Sequence, residues 1–285
     1  MSELLAAARD RLRPHAASAT VDRITVGDAA VLVELRDGPT ASAGLAHRPS
    51  GPAPKTEDRT VESLLAGATA GVGDDEVAGR PPRAVATARS ERALGIATMN
   101  ALSAPLVDWR PGDPMALVDD DVERITTVGL FTPAFRKFDE MEVRVIEREE
   151  VDDVPDPASV RVRTFTPAET AEAMAGAEVV FVTGSAFVYG GVEAYLDAAP
   201  SAATVVVIGA TASFVPEPLF AAGVDVVAGA TVTDVDGVRT ALDEGACGTD
   251  LHDAGLTKVY TARETPGDVR LGLGNAAEFS TTDQI

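Results

Sequence analysis

Four places in this 285-residue sequence put glycine beside hydroxyl or small residues directly after an apolar, β-branched run. They are Gly129-Leu130-Phe131-Thr132, Thr183-Gly184-Ser185, Gly209-Ala210-Thr211 and Ala228-Gly229. Glycine lets backbone N–H groups come close to a ligand, and a helix starting at the same edge favours an anion or carboxylate. Thr183, Ser185 and Thr211 would add hydroxyl donors. Tight strand-to-helix turning is the better explanation of any one of these junctions taken alone, and repetition around one crevice narrows its lead over binding.

Glu147 ends the next apolar run, 18 residues beyond Gly129. That is close to the spacing at which an acidic residue meets ribose hydroxyls in dinucleotide-binding domains. The junction GLFTPAF, however, lacks G-x-G-x-x-G, so its backbone is not prepared for a pyrophosphate and no nicotinamide cofactor is expected. The string GATAG at Gly67 to Gly71 follows no strand and precedes no Lys-Ser or Lys-Thr, so it reads as a helix end.

Metal chemistry has few donors to draw on. His15, His47 and His252 are far apart and have no ligand-like partner at i+3 or i+4, so each reads as structural or exposed. Cys247 is alone, which excludes an intramolecular disulfide and a thiolate cluster. Hard oxygen ligands are plentiful at Asp234, Asp236 and Asp119 to Asp121, yet solvated acidic surface is their default reading.

The elements that must position these residues are legible as a doubly wound sheet. Strand candidates Ile125–Phe131, Val143–Ile146, Val179–Thr183, Val205–Ile208 and Val224–Ala228 alternate with helix candidates Thr132–Met141, Pro167–Met174, Gly191–Ala198, Pro216–Ala221 and Val235–Glu244. Continuous apolar strands separated by helices predict a buried parallel sheet, with ligands outside the strands' carboxyl ends. The fold class expected is α/β, with this Rossmann-like unit spanning 118–246.

Residues 1–117 predict a small α+β unit. A helix over 2–13 stops at Pro14, strands at 21–26 and 29–36 form a hairpin around Gly27-Asp28, 42–47 adds a third strand, and helices follow at 60–70 and 90–103. Residues 105–121 form a polar connector. Residues 247–285 read as a C-terminal extension with short strands at 257–261 and 269–273 and a disordered end.

Composition bounds the partners. Asp plus Glu number 45 against 24 Lys plus Arg, for a formal charge of −21, and Lys55, Lys137 and Lys258 are the only lysines. Such a surface repels phosphate backbones, so no nucleic-acid partner is expected. Its self-repulsion would be screened by molar salt, which marks a salt-adapted chain. No apolar run approaches the ~20 residues of a membrane helix and the N-terminus has no signal-peptide core, so the expectation is a cytoplasmic protein with no membrane partner.

Two stretches, VVFVTGSAFVYGGVEAYL and VVVIGATASFVPEPLFAAGVDVVAGATVTDVDGV, resemble the C-terminal domain of a family labelled "putative heavy-metal chelation". The resemblance is carried by Thr183-Gly184, Gly209 with Thr211, Pro216 to Phe220, and Gly223 to Gly229 with Asp234. The family pairs that Rossmann-like domain with a small domain similar to the N-terminal domain of enolase, whose last helix carries the Asn-Ala-Leu found here at Asn100-Ala101-Leu102. The resemblance implies a site in the crevice between the two domains. This chain departs from the pattern at Leu130, where relatives have His, at Tyr189, where they have Asn, and at Ala210, where they have Pro.

The candidate ligand contacts are therefore Asn100, Gly129, Glu147, Thr183, Gly184, Ser185, Tyr189, Gly209, Thr211 and Asp234. Three functions fit them. The first is a binder of a small molecule, free or metal-bound, or an enzyme acting on a metal chelator. The second is a transferase using an adenosine-containing cofactor such as S-adenosylmethionine, with Glu147 on the ribose. The third is a non-catalytic binding or regulatory module. Soft metals favour thiolate and imidazole, and one Cys with three scattered His does not build a closed soft site.

Overall fold

The computed structural model describes residues 2–71, 79–149, 151, 160–248, 250–263 and 269–273, with backbone alone at 132–134. The expected disordered end lies outside the described residues. The first element, α1 (Glu3–Ala16), starts at Ser2, whose side chain accepts a hydrogen bond from the Leu5 N–H and so caps the helix. Leu5, Ala8 and Leu12 are buried along one face. The helix runs past Pro14 to Ala16, which is buried. Proline costs one hydrogen bond in an exposed last turn, and that does not stop a helix whose final residue, Ala16, packs into the core.

Strands β1 (Thr20–Val26), β2 (Ala30–Asp37) and β3 (Thr40–His47) form an antiparallel meander. Helix α2 (Val61–Gly67) ends where GATAG begins, and α3 (Pro82–Ser103) lies across the meander. The spacing predicts only the second part of α3. Its first turns, from Pro82 to Ala84, are exposed and carry no apolar periodicity, while Pro at the first helical position starts the helix earlier. Gly44 of β3 sits against α3 so closely that a Cβ there would lie 2.2 Å from the Ala101 nitrogen.

The remaining strands are β4 (Arg110–Pro111), β5 (Arg124–Val128), β6 (Glu142–Ile146), β7 (Arg161–Phe165), β8 (Val179–Thr183), β9 (Thr204–Ile208), β10 (Val226–Val232) and β11 (Leu256–Ala262). They make one eight-stranded sheet in the order β4-β11-β10-β9-β8-β5-β6-β7, parallel from β7 to β10. Taken in chain order, the six parallel strands lie 3-2-1-4-5-6, the Rossmann order, with its reversal between β5 and β8. The fold class is α/β as expected, with a mostly parallel sheet and a separate small antiparallel one. The sheet also draws in β4 and β11, which lie on either side of the 118–246 segment.

Strand β7 has no counterpart in the sequence reading, because Arg161 and Arg163 are exposed on an edge strand and break the apolar run. Strand β10 runs four residues past its expected end at Ala228, since β11 pairs with it antiparallel over its full length. The stretch 269–273 contributes a single bridge, Val118 to Leu271, in place of the expected strand.

The helix expected over 132–141 is also corrected. A 3₁₀ run, Thr132–Lys137, occupies its first half, and Phe138 is extended. Phe135 and Phe138 are both buried and meet edge to face. A three-residue repeat puts residues i and i+3 on one side, which an α-helical turn does less well.

On the flanks of the sheet lie α4 (Thr170–Met174), α5 (Ser185–Tyr189), α6 (Val192–Ala198), α7 (Glu217–Ala221), α8 (Val235–Asp243) and α9 (Asp250–Asp253). The two sheets share their cores. Leu5, Leu94 and Met99 pack in one cluster with Val180, Val182, Phe187 and Phe214, while Leu32 and Leu45 on the other face of the meander pack with Val238, Leu242, Leu251 and Leu256. The meander is thus wedged between α3 and the α8–α9 end of the larger sheet. Burying both of its faces fixes the β2–β3 hairpin over the carboxyl ends of β8, β9 and β10.

Candidate functional site

Each parallel strand hands over to a turn at the same edge of the sheet. After β5, Gly129 adopts φ 96°, a conformation that side chains rarely tolerate. The Leu130 N–H donates to a Glu147 carboxylate oxygen at 3.0 Å, and the Arg148 N–H donates to the other oxygen at 3.1 Å. Glu147 therefore holds the β5 turn in place from the end of β6.

After β8, the Thr183 and Ser185 hydroxyls lie 3.2 Å apart, and the Gly184 N–H donates to the Ile208 carbonyl at 2.7 Å. A Cβ at Gly184 would come within 2.9 Å of the Ala212 nitrogen, so glycine here serves close packing. After β9, Gly209 at φ 114° opens a 3₁₀ turn over Ala210–Ala212.

The small sheet grips that turn. The His47 N–H donates to the Thr211 hydroxyl at 2.9 Å. The Asn100 amide donates to the carbonyls of Leu45 at 2.7 Å, Ala210 at 3.0 Å and Thr211 at 3.3 Å. At 2 % exposure, Asn100 ties β3 to the β9 turn and leaves its own Oδ1 without a hydrogen bond.

His47 Nε2 meets the Tyr189 hydroxyl at 3.0 Å, and the Arg148 guanidinium lies over the Tyr189 ring, 3.4 Å from its centroid. Burial, with the Arg148 charge behind it, holds the His47 imidazole below its ordinary value, so it is neutral at pH 7.

Two adjoining cavities open at this edge. The smaller, about 180 Å³, lies at the β5–β8 reversal against Gly129, Glu147, Arg148, Thr183 and Ser185. The larger, about 720 Å³, lies under the β2–β3 hairpin and over the ends of β8, β9 and β10. They share Leu130, Phe131, Thr183 and Ser185 as a common wall. Pockets of the larger volume are of the size that takes a small organic ligand.

Six of the ten residues singled out from sequence reach a cavity wall or the strand turn beneath it: Gly129, Glu147, Thr183, Ser185, Gly209 and Thr211. Gly184 stands between two of them as a packing glycine. Tyr189 contacts the wall residues His47 and Arg148. Asn100 is buried behind the wall. Asp234 lines neither cavity; it caps α8 by accepting from the Gly237 N–H at 3.0 Å.

Sequence reasoning missed His47, Asp113, Lys137 and Lys258, all of which line the larger cavity. His47 is the last residue of β3, and its place at a strand end is the one signal that could have found it. Asp113 accepts from both Lys137 and Lys258, the latter at 2.6 Å, and from the Met115 N–H at 3.1 Å. Burial works to raise the Asp113 carboxyl, but the two lysines outweigh it and hold it below the usual carboxylate range.

As a metal centre the site is poorly furnished. Cys247, His47 and His252 all line the larger cavity, yet no group of three or more His, Cys, Asp or Glu among the described residues is placed to hold an ion. His252 is engaged with the Leu256 carbonyl at 2.7 Å. Among the described residues, no helix is long and apolar enough to cross a membrane.

Comparison with known proteins places this arrangement. A solved structure from Pyrococcus horikoshii, a DUF364-family protein of unknown function, is 20% identical, with a TM-score of 0.73, over 91% of this chain and 100% of its own. One from Desulfitobacterium hafniense DCB-2, of the same family and also of unknown function, is 14% identical, with a TM-score of 0.60, over 90% of this chain and 99% of its own. These likenesses bear on the fold. No curated protein matches the sequence. A model for the DUF4213 family, described as "putative heavy-metal chelation", matches residues 9–103. The DUF364 model, with the same description, matches residues 113–261, just over half of the chain, and the chain belongs to that family.

Proposed function

We propose that the chain binds a small organic molecule, free or carrying a metal ion, in the cavity between the β2–β3 hairpin and the ends of β8, β9 and β10. The observation that carries this reading is the 720 Å³ cavity itself, built by both sheets at the edge where open parallel sheets bind their ligands. Its wall combines apolar surface from Leu45, Met115, Phe131 and Leu251 with a few polar groups, Thr183, Ser185 and His47 among them.

The described side chains do not fit a bare heavy-metal ion, which would need a cluster of thiolate or imidazole donors. The family description is met instead if the donors belong to the ligand, so that the protein holds a chelate or a chelator. Calorimetric titration of the purified protein with Zn²⁺ and with Ni²⁺ tests this. Weak, non-stoichiometric heats are expected, and tight one-to-one binding of either ion alone would overturn the reading. Recovery of the bound molecule unchanged after long incubation would favour a binding module, and recovery of a product an enzyme.

A second reading, a transferase with an adenosine-containing cofactor, has one observation in its favour. Gly129 and Glu147 face the smaller cavity at the strand-order reversal, where such a cofactor's ribose would meet a carboxylate. Against it, both oxygens of Glu147 already accept backbone N–H groups. Calorimetry with S-adenosylmethionine discriminates, since absence of binding removes this alternative.

A further inference from the structure

Lysine is scarce here, with 3 in 285 residues, against 45 acidic side chains. Two of the three, Lys137 and Lys258, come from distant parts of the chain to the same carboxylate oxygen of Asp113, and all three residues line the larger cavity. Lys137 ends the 3₁₀ run after β5, Lys258 lies in β11, and Asp113 caps the short 3₁₀ turn Pro114–Ala116.

Two ammonium groups on one carboxylate leave a positive charge uncompensated at that point of the wall. Each ammonium has three N–H donors, and the Asp113 oxygen takes one from each. Asp113 is fixed by its cap to Met115, so it holds both lysines at the cavity without moving. The remaining carboxylate of the described wall, Asp250, is exposed on α9, and His47 is neutral. In a chain of charge −21, an exposed lysine pair that served solubility alone would have no reason to face an apolar cavity.

We infer that Lys137 and Lys258, spread by Asp113, form an oxyanion subsite of the larger cavity, so that the ligand is an organic anion with an apolar body. This rests on the small-molecule reading above and names its substrate class. The anion is a carboxylate or a phosphate. A carboxylate suits the chelator reading, because carboxylate oxygens bind metals as well as ammonium groups.

Calorimetry at one fixed KCl concentration with three probes tests it: 2-naphthoate, naphthyl phosphate and the uncharged 2-naphthalenemethanol. The native protein is expected to bind the better of the two anions at least about tenfold more tightly than the alcohol, and the stronger anion tells carboxylate from phosphate. Lys258→Met and Lys137→Met keep the side-chain length and should bring the anions down to the alcohol. Asp113→Asn keeps an acceptor for the Met115 N–H while freeing both ammoniums, and should tighten anion binding; a purely structural clamp would loosen instead. Equal affinity for alcohol and anions, or an unchanged ratio in the lysine variants, overturns the subsite while leaving the cavity reading standing. Binding of none of the three overturns both.

Discussion

The hydroxyl of Tyr189 lies 3.0 Å from His47 Nε2 and so joins the end of β3 to the helix that follows β8, across the seam between the two sheets. The same imidazole residue anchors its backbone N–H on Thr211, so β3 is fastened at one point to two of the turns that bound the cavity. Replacing the hydroxyl alone, in Tyr189→Phe, keeps the ring under Arg148 and removes one hydrogen bond. We expect a loss of about 1 kcal/mol in chemical denaturation.

His47 gives this seam a pH dependence. Its folded-state value is depressed below the ordinary 6.5, first by burial and then by Arg148. As pH falls below 6.5, the unfolded chain takes up a proton that the folded chain resists, so the contribution is intact above that pH and is lost progressively below it. His47→Gln should flatten this part of the profile of stability against pH. An unchanged slope between pH 5 and about 6.5 would place the effect elsewhere.

Asn100 is the stronger fastening. Its amide donates to carbonyls on both sides of the seam, and Asn100→Ala is expected to cost about 1–3 kcal/mol by leaving buried carbonyls without donors. Asn100→Asp should cost more, since a carboxylate would face those carbonyls with no N–H to offer. Thermal melts of the two variants should rank in that order.

Gly44→Ala tests how tightly the meander is seated. The added methyl would fall 2.2 Å from the Ala101 nitrogen and 2.3 Å from the Ala97 oxygen, both on helical backbone that has no rotamer with which to yield. Overpacking of this kind typically costs about 1–3 kcal/mol, and backbone contact on both sides puts this case at or above the upper end. A melting temperature within a degree or two of the native protein would show that β3 can lift away from α3.

The charge of −21 carries its own expectation. At low ionic strength the acidic surface repels itself, and salt screens it within about 3 Å at 1 M. Circular dichroism should show loss of structure below roughly half-molar KCl, where that screening weakens. Retained structure in dilute buffer would refute salt adaptation.

Much of this architecture was written in local pattern. The β-branched runs of β5, β6, β8 and β9 and the glycines at 129, 184 and 209 mark buried strands and the tight turns after them, because burial on both faces removes the need for alternation. Strand β7 escaped because an edge strand tolerates Arg161 and Arg163 on its open side. The site was legible only where it coincided with those turns. His47, Asp113, Lys137 and Lys258 meet through tertiary packing of segments up to 211 residues apart, from position 47 to position 258, and nothing in their spacing announces it.

Asp234 shows the converse. It stood in a motif that pointed to a ligand, yet its place is the cap of α8, facing Gly237 and the close approach of Gly255. A capping Asp and a binding Asp look alike in sequence, because both sit at the start of a helix.

The cavity can be challenged most directly by filling it. Ile208, at the end of β9, contributes to its wall, and Ile208→Trp would occupy part of the 720 Å³. Native and variant protein purified from the host organism would be compared by native mass spectrometry with elemental analysis, after circular dichroism has shown that the variant folds. The account predicts a non-covalently bound organic mass, with or without a metal ion, on the native protein and its loss from the variant. A bare native chain, metal ions attached without any organic mass, or the same adduct on both proteins would contradict it.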